Sequence, residues 1–348
     1  MRDILKGTFL RASKFLGLFS LARFVTRRGL RILCYHGFAL SDESNFRPKL
    51  FMRPETFQAR MRYLSAQGYP VLSLDQACHG LAKGRLPDDA VAVTIDDGFF
   101  SVLRCAAPVL KEHSFPATLY VTSYYVQVQN PIFRLVVQYM FWKTAQNEFD
   151  TTGLRLPLSG MLPLTPAEEK DKLMWEIIRF AETGLEEPER CILAHELGSR
   201  LGIDYRNIQK TRELSLLSPQ EIRDLAAEGM DIQLHTHRHR LPEEPDLVER
   251  EIGQNRELLE PLAGKRLQHL CYPSGVWSKR HWPWLDRLGI ISATTCAPGL
   301  NYAETPKLGL RRFLDGENIS QIEFEAELSG FSEILRWARA VLPGSSRS

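Results

Sequence analysis

Ala90-Val91-Ala92-Val93-Thr94-Ile95-Asp96-Asp97-Gly98 decides the fold. Six uncharged residues, four of them β-branched, predict a strand buried on both faces, as in a parallel sheet covered by helices. Two carboxylates follow where that strand ends. Asp-Asp-Gly is ordinary turn chemistry, and taken alone the turn is the commoner reading. Adjacent carboxylates on a buried strand are nevertheless costly unless paired or metal-bound. Their side chains point in different directions, so one can ligate an ion while the other faces a water.

Working outward, Arg31–His36 is a second apolar run, closed by Gly37. A helix is predicted over 55–67, opened by Pro54 and stopped by Gly68, then a short strand near Val71 and a helix over 74–81. After Gly98 come a helix over 101–113 and a strand over 117–122, a β-α-β rhythm. Residues 131–217 break it with long helical patterns and no strand, and read as a helical insertion. The rhythm resumes at Ser218-Pro219-Gln220-Glu221, a capping box opening a helix. Strands follow at 231–234, 268–272, 291–295 and 308–313. Strands alternating with helices and ending in polar residues predict a parallel barrel whose site lies at the strands' C-terminal ends.

Composition fits such an enzyme. The chain has 348 residues, 44% hydrophobic and 25% charged, with a net charge of +2. That excludes disorder, and a balance so close to neutral argues against nucleic acid as a partner. The six cysteines are scattered without a C-x-x-C pair and read as free thiols of a reducing, cytoplasmic compartment. Charge is uneven, however: residues 1–31 hold eight basic side chains against Asp3 alone, interleaved with Leu, Phe and Ile. Three readings fit this N-terminal extension, residues 1–30. It is an amphipathic helix of 1–28 on an anionic membrane surface, a helix packed on the main domain, or an export signal whose apolar core is only eight residues. The surface helix places the protein on the inner face of the cell membrane. The main domain is expected over 31–342, with a disordered tail at 343–348.

The chemistry gathers in two places. His235-Thr236-His237-Arg238-His239 puts His235 and His239 on one face if helical, and adds His237 if extended. An exposed His/Arg loop without metal is an equal reading for this cluster alone. With Asp96-Asp97 it offers an Asp-His-His set that leaves room for a water.

At this point the sequence resembles the polysaccharide deacetylases, the NodB-homology or family-4 carbohydrate esterases. Val93-Thr94-Ile95-Asp96-Asp97-Gly98 is similar to their T-F-D-D-G motif and His235–His239 to H-[ST]-x-x-H. Cys271-Tyr272-Pro273-Ser274-Gly275 is similar to their third block. Tyr35-His36 and Ala293–Asn301 also match many bacterial members. The resemblance implies a distorted parallel (β/α) barrel of the NodB type, with 131–217 inserted. It implies a divalent metal, expected to be zinc, held by Asp97, His235 and His239, with Asp96 as general base. It also implies an oxyanion site at the backbone near Tyr272 and Pro273, and removal of acetate from an N-acetylated sugar of a polysaccharide or lipid-linked glycan. Deformylation, another linear-amide hydrolysis, or a catalytically silent glycan-binding module are the alternatives. Two features depart from the pattern. The third block lacks the arginine that orients the base in relatives, and no histidine follows His281, which leaves His36 or His237 for the general acid. Trp277, Trp282 and Trp284 read as packing, and His281 as a surface residue.

Overall fold

The computed structural model describes residues 2–341; the expected tail at 343–348 lies outside them. Its main sheet has eight strands: β1 (Arg31–Tyr35), β2 (Val71–Leu72), β3 (Val91–Ile95), β4 (Ala117–Val121), β5 (Asp231–Leu234), β6 (His269–Cys271), β7 (Ser292–Thr294) and β8 (Phe313–Leu314). The order is β7-β6-β5-β4-β3-β1-β8, every neighbouring pair parallel, with β2 laid on the start of β3. All residues of β1, β3 and β4 are buried, as their apolar runs require.

The barrel is drawn together by the chain entering β8. Leu310 bridges to Thr294 of β7, and the Thr295 N–H donates to the Leu310 carbonyl at 2.8 Å. Three residues later Phe313 pairs with Leu33 of β1. One stretch thus joins both outer strands, which gives the distorted parallel (β/α) barrel of the NodB type.

Helices Pro54–Ala66, Leu74–Ala82, Pro219–Ala227 and Pro245–Ala263 cover the sheet, and Ser218 forms the expected capping box with Glu221. The helix after Gly98 differs from expectation. It opens as a π-helical turn, Val102–Ala106, before continuing as Ala107–Glu112. Such turns are frequent at functional sites. The insertion contains the helices Phe133–Lys143, Ala167–Gly184, Glu187–Leu201 and Tyr205–Thr211. Contrary to the all-helical expectation it also holds an antiparallel ribbon, Glu148–Asp150 with Met161–Pro163. Those strands are three residues each and poor in β-branched side chains, so no alternation marks them in the sequence. Val136, Met140, Ile177 and Leu197 of the insertion belong to the same buried cluster as Ile95 and Val121 of the barrel.

At the N-terminus two helices stand where one was expected, Arg2–Phe15 and Leu18–Thr26, broken at Gly17 with φ of 76°. Leu10, Phe19 and Ala22 pack against Ala326 and Phe331 of the C-terminal helices Gln321–Leu328 and Phe331–Val341. Five of the eight basic side chains are paired within the chain: Lys6 with Glu323, Lys14 with Glu325, Arg23 and Arg31 with Asp89, and Arg27 with Asp88.

Candidate active site

Parallel register brings the ends of β1, β3, β5 and β6 to one place. Tyr35 is opposite Ile95, so His36 and Asp96 leave their strands side by side. Gly37 is required next to His36, because a Cβ there would lie 2.4 Å from the Phe51 ring. Beyond Asp96 the backbone turns sharply, with φ of 71° at Asp97 and 87° at Gly98. Asp97 is not a glycine, and holding it there costs about 1–3 kcal/mol. Thr236 (62°) and His239 (53°) are strained in the same way. Three of the eight described non-glycine residues with positive φ thus lie in this site.

Asp97 Oδ1 lies 3.3 Å from Nε2 of both His235 and His239. These three groups form one of three clusters of candidate ligand atoms within 4.8 Å of one another among the described residues. Nδ1 of His235 sits 2.9 Å from the Cys271 carbonyl oxygen. A carbonyl only accepts, so Nδ1 carries a proton and Nε2 is the nitrogen turned to Asp97, to which it donates when the imidazole is charged. Burial opposes ionisation of Asp97, but the hydrogen bond from His235 and the nearby His239 and His36 outweigh it and hold the carboxyl at about 2. Removal from water, added to the charge of His235, brings His239 down to about 4. It is therefore neutral at pH 7, the form that ligates a metal. One carboxylate and two imidazoles aimed at one point suit a divalent metal, with a coordination position to spare.

Asp96 is held differently. Arg312 donates from Nη1 to Oδ1 at 2.7 Å and from Nη2 to Oδ2 at 2.8 Å, and its guanidinium is fully buried. Burial would raise the carboxyl, yet the Arg312 charge and its two hydrogen bonds keep it far below the usual carboxylate range. The thiols of Cys271 and Cys34 lie 3.2 and 3.5 Å from Oδ2. The arginine missing from the third block is thus supplied from just before β8. Its signal is the pair Arg311-Arg312 inside the strand predicted over 308–313.

The His235–His239 loop is braced from helix Pro245–Ala263. Asn255 Oδ1 accepts from the His235 N–H at 3.0 Å, while its Nδ2 donates to the Val121 carbonyl and to Ser123 Oγ. Glu251 accepts from the N–H of Arg238 through its side chain and from that of His237 through its carbonyl. Neither residue stood out in the sequence, where each is one polar position of a long helix.

The other candidates separate. His36 Nε2 is 3.8 Å from Asp96 Oδ2, with 19% of its side chain exposed. His237 turns away: Nδ1 is 2.9 Å from Ser123 Oγ, Tyr124 packs against the ring, and it belongs to none of the three clusters. Tyr272 and Pro273 do not provide the expected oxyanion donor either. The Tyr272 N–H donates to the Thr294 carbonyl at 3.1 Å, extending the sheet by one residue, and proline has no N–H. Tyr272 instead stacks on Trp277, which stacks on Trp282, so these aromatics pack on one another as expected. His281 is buried, its Nε2 2.9 Å from the Pro242 carbonyl oxygen, not on the surface.

Residues 196–292 match the polysaccharide deacetylase family. The matched segment contains His235, His239 and Tyr272; Asp96 and Asp97 fall outside it, beyond the inserted residues. The curated protein YxkH of Bacillus subtilis (strain 168), provisionally named a polysaccharide deacetylase, is 33% identical over 93 residues. That alignment covers 26% of this chain and 31% of YxkH, so the chain matches about a third of that relative's length. The fold is similar to Streptococcus pyogenes deacetylase PplD in complex with acetate, with a TM-score of 0.57 at 18% identity, over 86% of this chain and 98% of that one. It is also similar to IcaB from Ammonifex degensii, with a TM-score of 0.54 at 18% identity, over 86% and 97%.

Proposed function

We propose that this chain, which belongs to the polysaccharide deacetylase family by its matched segment and its NodB-type fold, removes the acetyl group from an N-acetylated sugar of a glycan in a metal-dependent hydrolysis. One observation carries the reading: Asp97, His235 and His239 converge on a point beside an Asp96 that Arg312 holds ionised. A divalent metal at that point, expected to be zinc, would supply Lewis acidity to a water and to the amide carbonyl.

The chain's own groups account for the protons. Asp96 takes the proton of the attacking water on a carboxylate oxygen. Arg312, bonded to both of its oxygens, keeps that carboxylate ionised and oriented. His36 Nε2, 3.8 Å away, is the nearest histidine nitrogen to Oδ2 described here and delivers a proton to the departing amine. The C–N bond breaks, and acetate and the free amino sugar leave. The relation in fold to a deacetylase described in complex with acetate supports acetyl as the group released.

We place the enzyme at the cytoplasmic face of the cell membrane, acting in cell-surface glycan synthesis. The scattered, unpaired thiols and the N-terminal helices support that placement. The test is acetate release from N-acetylglucosamine oligomers by protein stripped with a chelator and then reloaded with zinc. Activity that disappears on stripping and returns on reloading is expected; hydrolysis indifferent to the chelator would overturn metal dependence.

A further inference from the structure

We infer that the two N-terminal helices dock on a lipid bilayer by inserting an apolar face, and that this leaves the catalytic mouth open to water. The inference takes the deacetylase reading as given but rests on a separate observation. Each helix buries one stripe against the C-terminal helices, and the opposite stripe is apolar too. Ile4, Leu5, Phe15, Leu16, Leu21 and Phe24 are all more than half exposed, Phe15 at 91%. At 100° per residue, Ile4, Leu5, Phe15 and Leu16 fall on the side facing away from Leu10, and Leu21 and Phe24 away from Phe19. A helix apolar on both sides is normally buried, yet none of the described residues covers this face.

A bilayer is the occupant that the surroundings fit. The helices have 14 and 9 residues, and no described helix is long and apolar enough to cross a membrane. Side by side they suit insertion in the plane of the interface. Arg11, exposed and without an ion-pair partner among the described residues, sits on the same side of its helix as Ile4 and Phe15. It can meet lipid phosphates, which neutral and anionic lipids both carry. The sequence suggests attraction by charge, but five of the eight basic side chains are neutralised by Glu323, Glu325, Asp88 and Asp89. What remains is mainly apolar, so docking should tolerate salt and not require anionic lipid.

The second helix also fixes which end faces the membrane. Arg23 and Arg27 contact Asp89 and Asp88, which precede β3, and the Asp89 N–H donates to the Arg27 carbonyl. This is the end where strands begin; Asp96, Asp97 and His235 lie where strands finish. The substrate class follows: an N-acetyl group on a glycan that extends away from the lipid, rather than on the sugar beside the headgroup.

The experiment is flotation of the full chain with phosphatidylcholine vesicles, with and without phosphatidylglycerol, at low salt and at about 0.5 M salt. Binding to the neutral vesicles at both salts is expected. The double variant Phe15→Glu, Phe24→Glu, exposed at both positions, should keep its circular dichroism and metal content and bind about tenfold more weakly or worse. Binding only to anionic vesicles and lost in salt would overturn the apolar mode. No flotation, together with self-association that the same variant abolishes, would assign the face to a second copy of this chain. Acetate release from soluble N-acetylglucosamine oligomers should be unchanged by neutral vesicles, and a loss on vesicle binding would overturn the orientation. A protein that floats but shows no activity with or without vesicles contradicts the deacetylase reading and not the docking.

Discussion

Replacing Arg312 by methionine removes the one guanidinium that contacts Asp96 among the described residues and leaves that carboxylate buried at the ends of β1, β3 and β6. The wild-type side chain is fully buried, makes two hydrogen bonds to Asp96, and also donates to the Thr295 carbonyl at 2.9 Å. Breaking such a pair from one side costs about 3–5 kcal/mol, because the remaining charge is stranded. The pH dependence should reverse as well. In the wild type the Asp96 carboxyl is lowered, so its contribution to stability is present above the ordinary carboxylate range and is lost only as pH falls well below it. Without Arg312, burial is opposed only by the weaker pull of His36 and His235 and raises the carboxyl, so the variant should lose more stability than the wild type as pH rises from 5 to 8. Thermal melts of metal-free protein across that range read this directly. The double variant Asp96→Asn, Arg312→Met should recover about 2 kcal/mol or more of the single variant's loss at pH 8. A single variant as stable as the wild type at pH 8, or one with no coupling to Asp96→Asn, would refute the reasoning.

Two further outcomes follow from other parts of the molecule. His36→Asn should keep its metal and its fold and lower turnover about 10²-fold or more, measured as acetate released at saturating substrate; unchanged turnover would remove His36 as the acid. Glu213 is buried near Glu43, and burial first, then that neighbour, raises its carboxyl to about 7. A raised carboxyl stabilises the fold while protonated, and that contribution is lost as pH climbs from its ordinary 4.5 to about 7. Glu213→Gln should therefore raise the melting temperature at pH 8, by up to about 3 kcal/mol of stability, and change little at pH 4.5; equal effects at both pH values would contradict the assignment.

The features legible in the sequence are local ones. An uninterrupted apolar run can only be a strand covered on both sides, and it leads straight to Asp96 and Asp97. The four-residue spacing of His235 and His239 likewise survives into the structure. What was hidden depends on distant contacts or on backbone turns that carry no side-chain signature. Arg312 reaches Asp96 across 216 residues, through a strand that pairs only because the barrel curls. His237 was grouped with its neighbours on the premise of an extended segment, in which alternate side chains share a face. The left-handed residues Thr236 and His239 break that alternation, so His235 and His239 converge while His237 swings to Ser123. The strand predicted over 268–272 does reach Tyr272, so its N–H is taken by a ladder bond to Thr294 and cannot also serve an oxyanion. The N-terminal charge was legible, but its partners lie at 88–89 and 323–325, far along the chain.

The most direct test of the central claim measures bound metal and released acetate on the same preparations of wild type, Asp96→Asn and His239→Ala. The carboxylates are adjacent in sequence but differ in partner: Asp97 faces two imidazoles, Asp96 faces Arg312. His239→Ala should lose both metal and turnover. Asp96→Asn should keep about one metal per chain and lose about 10²- to 10⁴-fold in turnover, since the amide keeps the shape but takes no proton. Loss of metal in Asp96→Asn, or full turnover with full metal, would contradict the account.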